Sequence, residues 1–240
     1  MIRINSKDKI LVVAPHPDDE SLGCGGLMLE LAKQIDSFCF LSSGIAPNAK
    51  SKSETRISEW NAAQEFIGCN NLGIVELYGK RPLLPRIIEN MPEYLNKLKT
   101  SQYDYIFMPN LNDNHPEHQY ISGKIMRDIL LINGYKKNLK IVFYEIWKIL
   151  EHPNYFFPIN AERKMDLLAL YKTQWSKCNL PKKILGLNCY RGIAADFKEY
   201  AEAFEVNDMK TYFKKVPPYK KHICKGKIFK NILLRWCKPT

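Results

Sequence analysis

Two short runs hold most of the side chains in this sequence that could do chemistry. VVAPHPDDESLGCGG at 12–26 places His16, Asp18, Asp19 and Glu20 within five positions. PNLNDNHPEH at 109–118 carries His115 and His118, with Asp113 and Glu117 close by. Carboxylates and imidazoles crowded in this way call for a cation between them. A catalytic zinc site takes three protein ligands and leaves one position open for water. His16 and Asp19 are three apart on a strand-to-helix turn and can chelate from one segment, and His118 completes the set. Asp18 cannot readily share the direction of Asp19, which leaves it free as general base for water activated by the metal. His115, one helical turn from His118, suits a cationic role opposite Asp18, where it could stabilise an oxyanion and protonate a leaving amine. The pattern points to one zinc per chain and to hydrolysis. Taken singly, each run also has a plainer reading: HPDDE as a capped helix start, HxxH as a solvated helix face. Their joint placement after two strands argues against both.

That placement follows from the alternation of elements. Short apolar runs at 9–15, 37–43, 73–78, 103–110 and 140–147 read as strands. Helical patterns fall between them, at Ser21–Gln34, Glu54–Gly68, Ile87–Lys99 and His118–Leu131. Ile57, Trp60, Ala63 and Ile67 mark the buried face of the second, and Gly68 its stop. Further helices are expected at Ala161–Lys172 and Ala194–Ala203. Strands alternating with helices predict an α/β fold: a Rossmann-like, doubly wound, mainly parallel sheet with helices on both faces. Right-handed crossovers then give strand order 3-2-1-4-5, with strands 1 and 4 adjacent where the winding reverses. Ligand sites form there, beyond the carboxyl ends of the strands. Both runs follow those two strands. GCGG lacks the spacing of a dinucleotide fingerprint; its glycines are read as allowing a tight turn and close helix packing.

Composition sets the class. A chain of 240 residues, 45% hydrophobic and 25% charged, is globular and long enough for one full core. It has no apolar run long enough for a transmembrane helix, and its start does not read as a signal peptide. Seven single cysteines without a CxxC suit a reducing cytoplasm. The net charge of +11 is uneven: residues 209–240 hold ten Lys or Arg and no Asp or Glu, leaving about neutrality for 1–208. The division expected is therefore a catalytic domain at 1–208 and a basic, amphipathic extension at 209–240. In that extension Ile228, Phe229, Ile232, Leu233 and Trp236 fall on one helical face among lysines. Two placements satisfy this pattern: docking on an anionic membrane surface, or packing on the body with the lysines solvated. Nucleic acid is disfavoured, because the tail lacks interleaved aromatics and a recognised binding fold. Nothing in the pattern fixes an oligomeric state.

At these residues the chain resembles the LmbE/PIG-L family of zinc-dependent deacetylases, over roughly its first 210 residues. APHPDDE at 14–20 matches the family's metal motif, and HPEH at 115–118 its second motif, usually written with Asp where Glu117 stands. TRISEWNAAQEFIG at 55–68 resembles its R-x-x-E helix, and the segments KMDLLALYKTQW and YAEAFEV resemble later family segments. The resemblance implies a Rossmann-like fold, zinc held by His16, Asp19 and His118, Asp18 as base, and His115 as electrostatic stabiliser and acid. It further implies that Arg56 binds sugar hydroxyls and that Glu59 orients it, and it places any outer contact of Glu117 on His115. The family's Glu is missing after Ser43 and Gly44. The reaction implied is removal of acetyl from an N-acetylhexosamine conjugate, with a lipid-linked sugar among the candidate substrates. The alternative is a non-catalytic sugar- or nucleic-acid-binding protein on the same fold.

Overall fold

Ile10–Ala14 is completely buried on both faces, as a run of Ile, Leu, Val and Ala must be if it lies at the centre of a parallel sheet. It forms β1. The other strands are β2 (Ile35–Leu41), β3 (Asn70–Glu76), β4 (Tyr105–Pro109), β5 (Lys140–Tyr144), β6 (Tyr155–Ile159) and β7 (Tyr200–Asp208). They make one sheet of order β3-β2-β1-β4-β5-β7-β6. The computed structural model describes residues 4–41, 50–76, 95–175, 179–197 and 199–217. The expected core order 3-2-1-4-5 is present and parallel throughout. β7 adds antiparallel to β5, and β6 antiparallel to β7. Most of the helix expected at Ile87–Lys99 lies outside the described residues, as do Ser43, Gly44 and the tail from 218.

Helices cover both faces. α1 (Asp19–Glu30), α2 (Lys50–Ile67) and α5 (Ala161–Ala169) lie on one side, where Val12, Leu27, Phe107, Leu167 and Phe204 share a core. On the other lie α3 (Pro116–Tyr120) and α4 (Met126–Asn133), joined by a wide π-type turn at 121–125, and α8 (Met209–Lys215). There Leu11, Ile106, Met126, Phe143 and Tyr212 pack together. α6 (Lys172–Trp175) and α7 (Leu180–Ala194) complete the chain. Trp60, Ala63 and Ile67 are buried as their spacing predicts, and α2 stops at Gly68, whose φ of 79° suits a residue without Cβ. Met209 and Tyr212 are core residues, so the packed body continues into α8.

The helix expected at Ala194–Ala203 is not formed: α7 ends at Ala194 and Tyr200–Asp208 is a strand. β7 has sheet partners on both sides, β5 and β6, and that ladder overrides the helical preference of its alanines. α1 is also irregular. Cys24 has φ −144°, which divides it into two helical pieces. Backbone N–H groups freed at the break, Gly26 and Leu27, donate to Glu202 of β7 at 2.8 and 2.9 Å. Lys164 neutralises that carboxylate at 2.7 Å and also donates to Leu22 O and Asn188 Oδ1. The glycines of GCGG have the packing role expected of them. A Cβ on Gly23 would run into the Tyr144 ring, and one on Gly26 into Ile159.

Candidate metal centre and active site

β1 and β4 are hydrogen-bonded neighbours in register, Val12 opposite Phe107, so the loops after Ala14 and Pro109 leave the same edge of the sheet. In the first loop, Asp19 Oδ2 accepts from the His16 backbone N–H at 2.9 Å. This closes the turn and aims both side chains to one side. In the second, Pro116 opens α3 with its fixed φ, and His118 is fully buried one turn in.

Three donor atoms meet between the loops. His16 Nδ1, Asp19 Oδ2 and His118 Nε2 lie 3.1 Å from one another, pair by pair. Ligands about 2.1 Å from a tetrahedral zinc ion are roughly 3.4 Å apart, so this triangle is within a few tenths of an ångström of a metal-binding face. The outer nitrogens point to carboxylates. His16 Nε2 is 2.8 Å from Glu117 Oε2, and His118 Nδ1 faces Asp113 Oδ1 at 3.3 Å. Carboxylates behind ligating imidazoles fix the tautomer and raise basicity. Burial pulls the His16 pKa down, but Asp19 and Glu117 more than offset it and hold it near 9. His118 is likewise lowered by burial and raised further by Asp19 and Asp113, to about 10. Asp19 is raised by burial yet held well below the carboxylate range by the two histidines. Such a cradle takes either protons or one divalent cation.

His115 completes the cluster. Its ring stacks on His118 at 4.6 Å and meets His16 edge-on at 4.8 Å. The ligand-type atoms of the three histidines lie within 4.8 Å of one another. The tighter 3.1 Å triangle includes Asp19 in place of His115, and His115 stacks against a neighbouring ring, which favours Asp19 as third ligand. Burial and the two neighbouring imidazoles lower the His115 pKa.

Asp18 has φ 129°, a conformation costly for any residue with a Cβ. Arg56 braces it, with Nη2 at 3.2 Å from Pro17 O and 3.4 Å from Asp18 Oδ1. Burial and Asp19 push the Asp18 carboxyl up to about 8, against the pull of Arg56. The structure thus brings together His16, Asp18, Asp19, His115, His118 and Arg56. Two contacts differ from expectation. The close contact of Glu117 is with His16 Nε2, at 2.8 Å, while on His115 its charge acts to raise the pKa. Glu59 does not hold Arg56: both its oxygens accept from Thr173, at 2.8 and 2.6 Å, tying α2 to α6.

Sequence reasoning gave no role to Glu20 or Tyr171. Glu20 is buried behind Asp18 and accepts from Tyr171 Oη at 2.6 Å, Ser21 Oγ at 2.7 Å and Gln64 Nε2 at 3.2 Å. Burial raises its pKa to about 7. A third consecutive acidic residue after HP was the available signal, but its partners Gln64 and Tyr171 lie 44 and 151 positions away.

Residues 11–129 match a family model described as PIG-L: GlcNAc-PI de-N-acetylase. A comparison with curated proteins finds no match. Among solved structures, the chain is similar to N,N'-diacetylchitobiose deacetylase from Pyrococcus horikoshii, with TM-score 0.62 and 20% identity over 90% of this chain and 89% of that one. It is similar to the conserved protein TT1542 from Thermus thermophilus, with TM-score 0.60 and 22% identity over 82% and 93%. GalB, the 4-carboxy-2-hydroxymuconate hydratase from Pseudomonas putida KT2440, gives TM-score 0.64 and 16% identity over 90% and 100%. At these identities the likeness is one of fold, and the fold serves more than one reaction.

Proposed function

This chain carries a PIG-L family domain, and from that premise we infer that it is a zinc-dependent hydrolase removing acetyl from an N-acetylhexosamine conjugate. The observation that carries the reading is the 3.1 Å triangle of His16 Nδ1, Asp19 Oδ2 and His118 Nε2 beside a strained, buried Asp18. These three residues would hold one metal ion per chain. A divalent cation supplies Lewis-acid polarisation of the amide carbonyl and lowers the pKa of nearby water and carboxyl groups.

The chain's own groups do the rest. Asp18, whose site by itself favours the protonated form, would be ionised by a positive charge bound beside it, and its carboxylate would then take the proton of the attacking water. Arg56 holds Asp18 in place and is positioned to meet a sugar hydroxyl. His115 sits against both imidazoles at the cluster's open side. A lowered pKa makes its cation a stronger acid, suited to giving a proton to the departing amine. Glu117 and Asp113 orient His16 and His118. A lipid as the aglycone and a cytoplasmic location are the finer parts of this reading. The second reading is a non-catalytic sugar- or nucleic-acid-binding protein. The buried Asp18 carboxylate beside the triangle favours catalysis, since a scaffold that only holds a metal has no need of it.

The test is acetate release by the zinc-loaded protein from a panel of N-acetylhexosaminyl lipids and soluble glycosides, with metal content measured in parallel. Release that is lost in His118→Ala together with bound metal supports the proposal. A full metal site with no acetate from any conjugate overturns it in favour of binding.

A further inference from the structure

The last described residues of the chain lie toward the active site. β7 runs antiparallel to β5 and ends at Asp208, opposite Lys140, at the sheet edge away from the site. α8 then carries the chain back. Met209 and Tyr212 enter the core, and Tyr212 Oη donates to Ser122 O at 2.7 Å and reaches Gly123 O at 3.2 Å, in the turn that follows α3. Lys215 pairs with Glu205 and lies 5.9 Å over the Phe143 ring, one residue from the end of β5. Val216 and Leu111 both come within 4 Å of a Cβ placed on Gly123. Leu111 is two positions past β4 and four before His115. Val216, one residue before the described chain stops, therefore lies toward the catalytic edge.

The same edge presents apolar surface. The loop after β5 leaves Trp147 46% and Ile149 55% exposed, with Lys148 between them. This loop is pinned to the HPEH loop: Trp147 N–H donates to Asp113 Oδ2 and Asn114 Nδ2 to Trp147 O, both at 3.1 Å. Behind it, Glu145 accepts from Leu150 N–H at 2.6 Å and pairs with Arg191, which also donates to Leu150 O. Two large apolar side chains are thus held toward solvent by a rigid backbone next to the catalytic histidines.

We propose that this edge is a docking face for an anionic lipid bilayer, with Trp147 and Ile149 entering the interface and residues 218–240 binding its charge. Residues 218–240 hold seven Lys or Arg and no Asp or Glu, with Ile228, Phe229, Ile232, Leu233 and Trp236 among them. Basic residues over an anionic surface each strengthen partitioning by about five-fold, and apolar residues add insertion. Tryptophan is favoured at the boundary between headgroups and acyl chains. The body of the chain is nearly neutral overall, and exposed Trp and Ile suit a bilayer. Among the described residues no helix is long and apolar enough to cross a membrane, so attachment is to one surface. Docked in this way, the metal centre faces the membrane plane.

The experiment is co-sedimentation of the full chain with vesicles of phosphatidylcholine, with and without about a third phosphatidylserine, near physiological salt. The expected result is binding to the anionic vesicles at least tenfold stronger than to the neutral ones. Reversing Lys220, Lys221, Lys225 and Lys227 to Glu in the full chain should lower it by about a hundredfold or more. Vesicles containing brominated lipid should quench tryptophan emission, and Trp147→Phe should lose part of that quenching. Equal binding by the charge-reversed protein overturns the tail's role, and undiminished quenching in Trp147→Phe overturns the orientation. No vesicle binding at all, as for a tail packed on the body, or retention on an RNA oligonucleotide in its place, overturns the proposal. None of these readouts uses turnover, so the deacetylase reading stands or falls separately.

Discussion

Shortening one side chain tests the architecture of the metal centre. Glu117 Oε2 lies 2.8 Å from His16 Nε2, so with a cation in the site the remaining proton belongs on that nitrogen and Nδ1 offers its lone pair between Asp19 and His118. Replacing Glu117 by Asp, the residue usual at this place in the family motif, draws the carboxylate back by about one C–C bond, roughly 1.5 Å. The gap then exceeds hydrogen-bond reach. Losing such an outer carboxylate costs about 10- to 100-fold in metal affinity, or roughly 1.4–2.7 kcal/mol. The Glu117 side chain is 22% exposed, so water can replace part of the contact, and the loss should fall near the lower end. Glu117→Gln keeps an acceptor at full reach and removes only the charge, so its loss should be smaller than that of Glu117→Asp. The assay is competition for zinc between each variant and a chromogenic chelator. Wild-type affinity in Glu117→Asp refutes the argument, and a larger loss in Glu117→Gln than in Glu117→Asp shows that charge and not reach governs the site.

Other consequences are as direct. Asp18→Asn keeps the side-chain shape and the tolerance of positive φ, so metal content should hold while turnover falls about 10²- to 10⁴-fold; near-normal turnover with metal bound ends its assignment as base. Lys164→Met leaves Glu202 buried without its cation and should lower stability by about 3–5 kcal/mol, and an unchanged denaturant midpoint would contradict the network. Gly23→Ala drives a methyl into the Tyr144 ring and should cost about 1–3 kcal/mol; the same melt detects it, and no loss would mean that α1 can lift from the sheet freely.

The centre of the fold was legible because each βαβ unit writes itself into a contiguous stretch. Ile10–Ala14 and Tyr105–Pro109 are pure apolar runs, and the switch point between them follows from crossover handedness. β6 and β7 were not legible. YFFPI contains a proline that argues against a strand, yet among the described residues β6 pairs with β7 alone, at the sheet's edge, where proline is tolerated. The helix expected at Ala194–Ala203 runs into YAEA, the start of β7, whose Glu202 finds its partner in Lys164, 38 positions away. The site divides in the same way. His16, Asp18, Asp19, His115 and His118 sit in two short runs, so residue type and spacing named them. The contacts of Glu117 with His16, Arg56 with Asp18 and Glu20 with Tyr171 arise only when distant elements meet. No local pattern encodes such pairs.

The break in α1 sets the order of events in time. The Gly26 N–H that Glu202 receives is 176 positions earlier in the chain. At about 5–20 residues per second of synthesis, roughly 10–35 s separate the two on the ribosome. In the later part of that interval, once residue 118 has been made, both histidine runs are present, while the helix that carries Asp19 still lacks the carboxylate that closes its second piece. A nascent chain ending at residue 129 has every ligand and no anchored helix to hold them. Tight metal capture is therefore a late event, and a pulse of labelled zinc given during synthesis should be retained only by chains long enough to have laid down β7.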